Sequence, residues 1–245
     1  MLRFRLFGFP IYVSPTFLIL GVFLLDSPIG AQGILSFVAA AFASVIIHEL
    51  GHAFAVRQTG GVVQQITLHG LGGATSWVDP HGRINWSRKI LIAAAGAGLG
   101  FVVAGVLYLM VRAGLLGQTA SRVIISPFQV ALGTAANEGS WGVFFLGAFI
   151  YVTIAWGLIN WLPIGGLDGW HILSELLEKW IPSRGRMLAA IIGVLVAAGA
   201  GWFLFSQGYR FAPIVLMLFA LQAFSGARAT PPQPQPAPPE ARGEG

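Results

Sequence analysis

The sequence predicts an all-α polytopic membrane protein of about six transmembrane helices, with a small membrane-associated β-hairpin after the second. Of the 245 residues, 56% are apolar and only 9% are charged, whereas about a quarter of the residues of a soluble domain are charged. Apolar segments approach the roughly 20 residues that span a bilayer. They lie at about 11–25, 34–56, 89–111, 141–161, 187–206 and 210–226.

The N-terminal sequence carries Arg3 and Arg5 before an apolar run and therefore resembles a secretion signal. No small-residue cleavage site follows and the hydrophobicity continues, so we interpret residues 11–25 as a retained first span, interrupted by Pro15. A further apolar run at 123–135 is too short to span a bilayer, and we expect it to lie at the interface or to re-enter the membrane.

Three other stretches do not fit a transmembrane helix. Residues 61–77 alternate in side-chain character and contain a glycine-rich turn, which predicts a β-hairpin. Residues 169–181 place apolar side chains at helical spacing, which predicts an amphipathic helix on the cytoplasmic face. Residues 227–245 are rich in proline and are expected to form a disordered tail after a domain at 1–226.

The basic residues predict the orientation of the chain. With both termini in the cytoplasm, eleven of the fourteen Lys and Arg residues lie on the cytoplasmic side and three lie opposite, which satisfies the positive-inside rule. The three exceptions are Arg112, Arg122 and Arg210. We therefore attribute the net charge of +5 to orientation, and we do not expect a nucleic-acid partner. The chain contains no cysteine, which excludes disulfides, thiolate metal ligands and a cysteine nucleophile.

The second apolar segment contains the motif HELGH, formed by His48, Glu49 and His52. Residues four apart share one face of a helix, so both imidazoles can bind one Zn²⁺ ion while Glu49 holds and deprotonates a water activated by that ion. His48 lies nine residues before Arg57, which is about 13 Å inside the helix end. Ionisable residues at such depth usually have a function. The alternative, a buried packing cluster, explains one histidine better than three ionisable groups at metal spacing.

A catalytic zinc ion usually has three protein ligands, and the motif supplies two. The candidates for the third ligand on the cytoplasmic side are His69, Asp79, His81, Asp168 and His171. Asp26 and Glu138 fall on the opposite side of the membrane.

Asp168 is the best of these candidates because it follows the fourth span in the irregular stretch NWLPIGGLDGW. There Pro163 breaks the helix and Gly165 and Gly166 free the backbone, so the chain can bring Asp168 back toward the histidines. Asp168 can equally be the N-cap of the helix that begins near Gly169. The residues alone support the two roles about equally.

HELGH, the hairpin after it and the run Asn160-x-x-Pro163-x4-Asp168-Gly169 together resemble the site-2 protease family of intramembrane metalloproteases, peptidase family M50. The resemblance covers roughly residues 11–226. It implies one zinc ion per chain, bound by His48, His52 and Asp168, with Glu49 as the catalytic base. It also implies that Asn160 contacts the substrate or the developing oxyanion.

The chain departs from the family pattern in two respects. The family often shows Ala-Gly-Pro-x-x-Asn on the span after the motif, whereas residues 95–100 read AGAGLG and lack the proline and asparagine. We interpret these small residues as a site of close helix packing. The loop between the third and fourth spans has about 30 residues, so we expect a minimal core form without a PDZ or CBS domain.

The expected function is therefore intramembrane zinc endopeptidase activity on transmembrane segments of membrane-tethered proteins, in the inner membrane of a prokaryotic cell. The expected partners are a transmembrane protein or peptide substrate and the lipid bilayer, and a homo-oligomer or a regulatory membrane partner is left open. A metal transporter or sensor would need more polar residues along several spans and gives Glu49 no role. A catalytically silent pseudoprotease scaffold would not need an intact HELGH and Asp168.

Overall fold

A computed structural model describes residues 1–22, 30–70, 72–116, 141–208 and 211–228. The strands are β1 (Leu2–Leu6), β2 (Phe9–Val13), β3 (Val62–His69) and β4 (Gly72–Val78). A 3-10 turn at Pro15–Leu18 leads into α1 (Ile19–Val22). The longer helices are α2 (Gly30–Gln58), α3 (Trp86–Arg112), α4 (Trp141–Asn160), α5 (Asp168–Trp180), α6 (Gly185–Ser206) and α7 (Phe211–Arg228).

The four strands form one sheet in the order β1-β2-β3-β4. β1 and β2 form an antiparallel hairpin, β2 runs parallel to β3, and β3 and β4 form the second antiparallel hairpin. Ile11, Ile66 and Leu68 are fully buried, and they pack one face of the sheet against α2. The hairpin predicted at 61–77 is confirmed, but it belongs to a larger sheet than the sequence analysis expected.

The N-terminal segment differs from the predicted first span. Residues 11–13 belong to β2 rather than to a helix, and Ser14 caps the turn that begins at Pro15. Phe7 and Gly8 have φ values of 51° and 87°, which suits a two-residue turn between antiparallel strands. Because Ile11, Tyr12 and Val13 pair with β3, the apolar run that resembled a membrane span is partly a buried strand.

Four helices of the described residues are long and apolar enough to cross a membrane: α2, α3, α4 and α6. α7 contains a shorter apolar stretch. The mostly helical fold class is confirmed, and the count of about six spans remains a prediction. The amphipathic helix predicted at 169–181 is present as α5. The run at 123–135 and residues 229–245 of the predicted tail lie outside the described residues.

Helices α2, α3 and α4 pack closely because small residues lie between them. A Cβ atom at Gly51 would stand 2.8 Å from the carbonyl carbon of Ala95 and 2.9 Å from the Cα of Gly96. The buried hydroxyls of Ser44 and Thr153 lie 3.0 Å apart and join α2 to α4. The small residues of the AGAGLG stretch therefore pack helices together, as expected.

The close contact at Gly51 predicts a loss of stability in the variant Gly51→Ala. The added methyl group meets backbone atoms of α3, which cannot rotate away, so we expect overpacking to cost about 1–3 kcal/mol. Thermal unfolding in detergent micelles should show a melting temperature lowered by several degrees. Gly98→Ala is the matched control, because a Cβ atom there meets no atom within 4 Å. Equal melting temperatures for the two variants would contradict the packing argument.

Candidate metal centre

Three side chains from two distant parts of the sequence converge at the centre of the fold. Nε2 of His48 lies 3.0 Å from Oδ2 of Asp168, and Nε2 of His52 lies 3.3 Å from the same oxygen. The two Nε2 atoms are 3.2 Å apart. The exposed fractions of these side chains are only 5%, 10% and 15%, for His48, His52 and Asp168 respectively. The structure therefore brings together the three residues that the sequence analysis proposed as metal ligands.

The arrangement of these atoms fits one metal ion. Nδ1 of His52 lies 2.7 Å from the carbonyl oxygen of Ile92, so it carries the proton in the neutral ring and leaves a lone pair on Nε2. Oδ2 of Asp168 is buried and accepts no hydrogen bond. Three electron-donating atoms thus face one another, and they repel unless a cation lies between them. Tetrahedral ligands about 2.0–2.1 Å from zinc are separated by about 3.3 Å, close to the distances observed.

The segment between α4 and α5 positions Asp168. The chain turns at Pro163, and Gly166 adopts a φ of +83°. Gly169 packs against the carbonyl groups of Trp161 and Leu162, where a Cβ atom would clash. Asp168 is the first residue of α5, the N-cap is Leu167, and no side chain caps the helix. The structure therefore does not support the N-cap alternative for Asp168.

Glu49 lies beside the three candidate ligands but faces a different neighbour. Its side chain is buried, and Oε2 accepts a hydrogen bond of 2.7 Å from the hydroxyl of Thr75 on β4. On the same face of β4, the backbone at Gly73 lies so close that a Cβ atom there would come 2.5 Å from Oε1. The sequence analysis missed both residues, although alternation along β4 places 73, 75 and 77 on one face.

A cavity of about 420 Å³ opens onto the site. Its lining includes His48, Glu49, His52, Asp168, Asn160 and His171. Asn160 is buried, and its Nδ2 donates a hydrogen bond of 2.9 Å to the carbonyl of Trp156. Asn160 thus lines the same cavity as the candidate metal ligands, and the role that the family resemblance implies for it stays a prediction.

Charged and titratable groups line the outer part of this cavity. Lys89 and Glu175 form an ion pair of 2.9 Å between α3 and α5. His171, one of the candidates for the third ligand, is open to the cavity. Desolvation by the surrounding protein lowers the pKa of His171, although the charge of Asp168 opposes this shift. The imidazole of His171 is therefore favoured in its neutral form.

His69, Asp79 and His81, also candidates for the third ligand, do not line the cavity. Asp79 accepts hydrogen bonds from the backbone N–H groups of Ile84, Arg83 and His81, at 2.7, 3.1 and 3.3 Å. These bonds, the one from Ile84 above all, hold the pKa of Asp79 below its usual range. His69 ends β3, and neither it nor His81 belongs to the cluster of ligand atoms among the described residues. Asp26 and Glu138 lie outside the described residues.

Gly96 on α3 closes the other side of the histidine pair. A Cβ atom there would clash with Nε2 of His52 and would stand 2.8 Å from Nε2 of His48. The stretch AGAGLG therefore does more than pack helices, since any larger side chain at position 96 would fill the space between the imidazoles.

Comparison with known proteins identifies relatives of this chain. It is 28% identical over 216 residues to a candidate zinc metalloprotease from Synechocystis sp.. The aligned region covers 83% of this chain and 50% of that protein. It is 24% identical over 226 residues to a zinc metalloprotease from Methanocaldococcus jannaschii. The aligned region covers 91% of this chain and 58% of that protein. The chain thus spans about half the length of the curated relatives it matches.

A solved structure, the site-2 protease from Methanocaldococcus jannaschii, shares the fold with a TM-score of 0.57 at 21% identity. The match covers 92% of this chain and 93% of that one. The sequence model of peptidase family M50 matches residues 36–200, a range that includes the HELGH motif and Asp168. Because this match extends over more than half of the sequence, the chain belongs to peptidase family M50.

Proposed function

We propose that this protein is an intramembrane zinc metalloendopeptidase that cleaves transmembrane segments of membrane-tethered proteins. The observation that carries the proposal is the convergence of His48, His52 and Asp168 inside the packed apolar helices, with Glu49 beside them. His48 lies ten residues before the end of α2, which is about 15 Å along the helix axis. A peptide bond cut at that depth would come from a segment that itself enters the membrane.

The proposed chemistry assigns a separate task to each residue. A bound zinc ion supplies a Lewis acid that polarises the scissile carbonyl and lowers the pKa of an attacking water. His48, His52 and Asp168 would hold the ion and leave one coordination position open. Glu49 would accept a proton from the water and deliver it to the leaving amine.

Asn160 is a candidate for contact with the substrate carbonyl. One N–H of its side-chain amide is used on the carbonyl of Trp156, and a primary amide has a second N–H to donate. Because Asn160 lines the same cavity as Glu49, that second N–H would stabilise negative charge on the carbonyl oxygen as the water attacks.

The edge of the sheet offers a way to bind an extended substrate. β4 is an outer strand of the described sheet, and Gly73, Ala74 and Thr75 on it line the cavity. A locally unwound substrate helix could add to this edge as a further strand, with main-chain hydrogen bonds that do not depend on its side chains. The cavity would then receive the peptide bond next to the edge.

A protease function accounts for the site better than metal transport or sensing. Among the described residues, His48, His52 and Asp168 form the one group of three or more His, Asp or Glu residues with the spacing of a metal site. A transport pathway would need several such groups along the spans. A pseudoprotease scaffold would have no need of a glutamate held by Thr75 in the lining of the same cavity.

A first prediction concerns Glu49→Gln. This variant should keep about one zinc ion per chain and lose cleavage of a transmembrane substrate by at least about 100-fold, because the amide cannot accept the proton. Metal analysis and a cleavage assay on reconstituted protein measure both effects. Normal cleavage by zinc-loaded Glu49→Gln would refute the mechanism, and metal transport that survives the substitution would support the transporter alternative.

A second prediction concerns the third ligand. Asp168→Asn should weaken zinc binding by more than about 100-fold, since loss of a group that merely orients a ligand already costs 10–100-fold. Asp79→Asn is the matched control, because the Asp79 carboxylate only organises its own loop. Competition with a chromophoric chelator measures both affinities. Equal affinities would exclude Asp168 as a ligand.

A third prediction concerns orientation, for which we propose a cytoplasmic location of both termini and of the cavity mouth, in a prokaryotic inner membrane. The chain has no cysteine, so a single introduced cysteine is the one site in the protein that a maleimide can label. A membrane-impermeant maleimide should label Ser183→Cys, between α5 and α6, in inside-out vesicles, and Ala113→Cys, at the end of α3, in cells with a permeabilised outer membrane. The reverse pattern would mean the opposite orientation.

A further inference from the structure

Residues of β4 contact both carboxylate oxygens of Glu49. The hydroxyl of Thr75 lies 2.7 Å from Oε2 and 3.2 Å from the backbone oxygen of Glu49. A hydroxyl has one proton to donate, and the shorter distance assigns that proton to the charged carboxylate. Gly73, two residues earlier on the same face, lies against Cγ and Oε1. Glu49 is thus held by the strand rather than by its own helix.

We propose that Thr75 is a positioning residue that fixes the carboxylate of Glu49 for proton transfer. This inference rests on the proposed function, in which Glu49 is the base. A glutamate side chain has three rotatable bonds, and the chemistry requires one orientation of its carboxylate. The bond from Thr75 restrains Oε2 and leaves Oε1, next to Gly73, as the oxygen that this bond does not use.

The place of β4 in the fold supports this role. The first residue of β4, Gly72, has a φ of +123° and packs against the indole of Trp156 on α4. The carbonyl oxygen of Trp156 accepts the hydrogen bond from Asn160. The strand is therefore fixed between α2 and α4, and it relates the position of Glu49 to that of Asn160. A peptide strand bound along the outer edge of β4 would lie on the element that orients the base.

The test compares Thr75→Val, which keeps the shape and removes the hydroxyl, with Thr75→Ser, which restores it. Thr67→Val is the matched control, because Thr67 pairs with Ala74 and so lies on the opposite face of the same hairpin. We expect all three zinc-loaded proteins to bind one metal ion. A hydrogen bond to a charged group contributes about 1.5–3 kcal/mol, so kcat of Thr75→Val should fall about tenfold or more with KM within about twofold.

Rescue separates positioning from a general loss of structure. Thr75→Ser should recover kcat to within about threefold of the wild type, and Thr67→Val should leave it unchanged. An equal loss of kcat in Thr75→Val and Thr67→Val, or no recovery in Thr75→Ser, would overturn the proposal.

A measurement that does not depend on cleavage completes the test. In protein labelled with glutamate carrying ¹³C at the carboxyl carbon, the resonance of Glu49 is the one lost in Glu49→Gln. Thr75→Val should shift this resonance, whereas Thr75→Ser and Thr67→Val should leave it close to the wild-type position. An unchanged resonance in Thr75→Val would refute the contact. A wild-type protein that cleaves no substrate, with the resonance shifted as expected, would refute the protease function alone.

Discussion

The mutual approach of His48, His52 and Asp168 is the constraint on which the rest of the structure depends. Three electron-donating atoms of largely buried side chains lie about 3 Å apart, and such an arrangement is costly without a cation. Each neighbour maintains it: the carbonyl of Ile92 orients His52, and the turn after α4 returns Asp168 to the histidines. The helices thus hold three candidate ligand atoms at the spacing of a single metal site.

Glycine makes this approach possible. Gly51 lets α3 reach α2, Gly96 leaves room for the two imidazoles, and Gly73 leaves room for the carboxylate of Glu49. Within a bilayer, helices gain little from hydrophobic attraction to one another, so close packing of small residues supplies much of their association. The centre therefore lies where α2 and α3 approach closely, and both its geometry and the packing of α2 on α3 depend on Gly96.

Sequence patterns predicted the clustering of the three candidate ligands better than the surroundings of the site. The i, i+4 spacing of His48 and His52 is a local property of one helix, and it appears in the sequence directly. Asp168 needed the resemblance to a family, because its position depends on a turn made by Pro163, Gly165 and Gly166. Alternation along β4 assigns Thr75 to a face of the strand but not to a partner, since Glu49 is 26 residues away and the contact depends on how β4 lies on α2.

The prediction of a membrane span near the N-terminus was wrong in part for a related reason. Apolar residues such as Ile11 and Val13 suit both a membrane span and a buried strand, and only their pairing with β3 distinguishes the two. That pairing has a consequence for the site. β1 and β2 cover one side of β3, so the free edge of the described sheet beside the cavity belongs to β4. The edge next to Glu49 is thus left open by strands that lie far from it in the sequence, and under the proposed function a substrate strand would bind directly beside Thr75, which holds the carboxylate of Glu49.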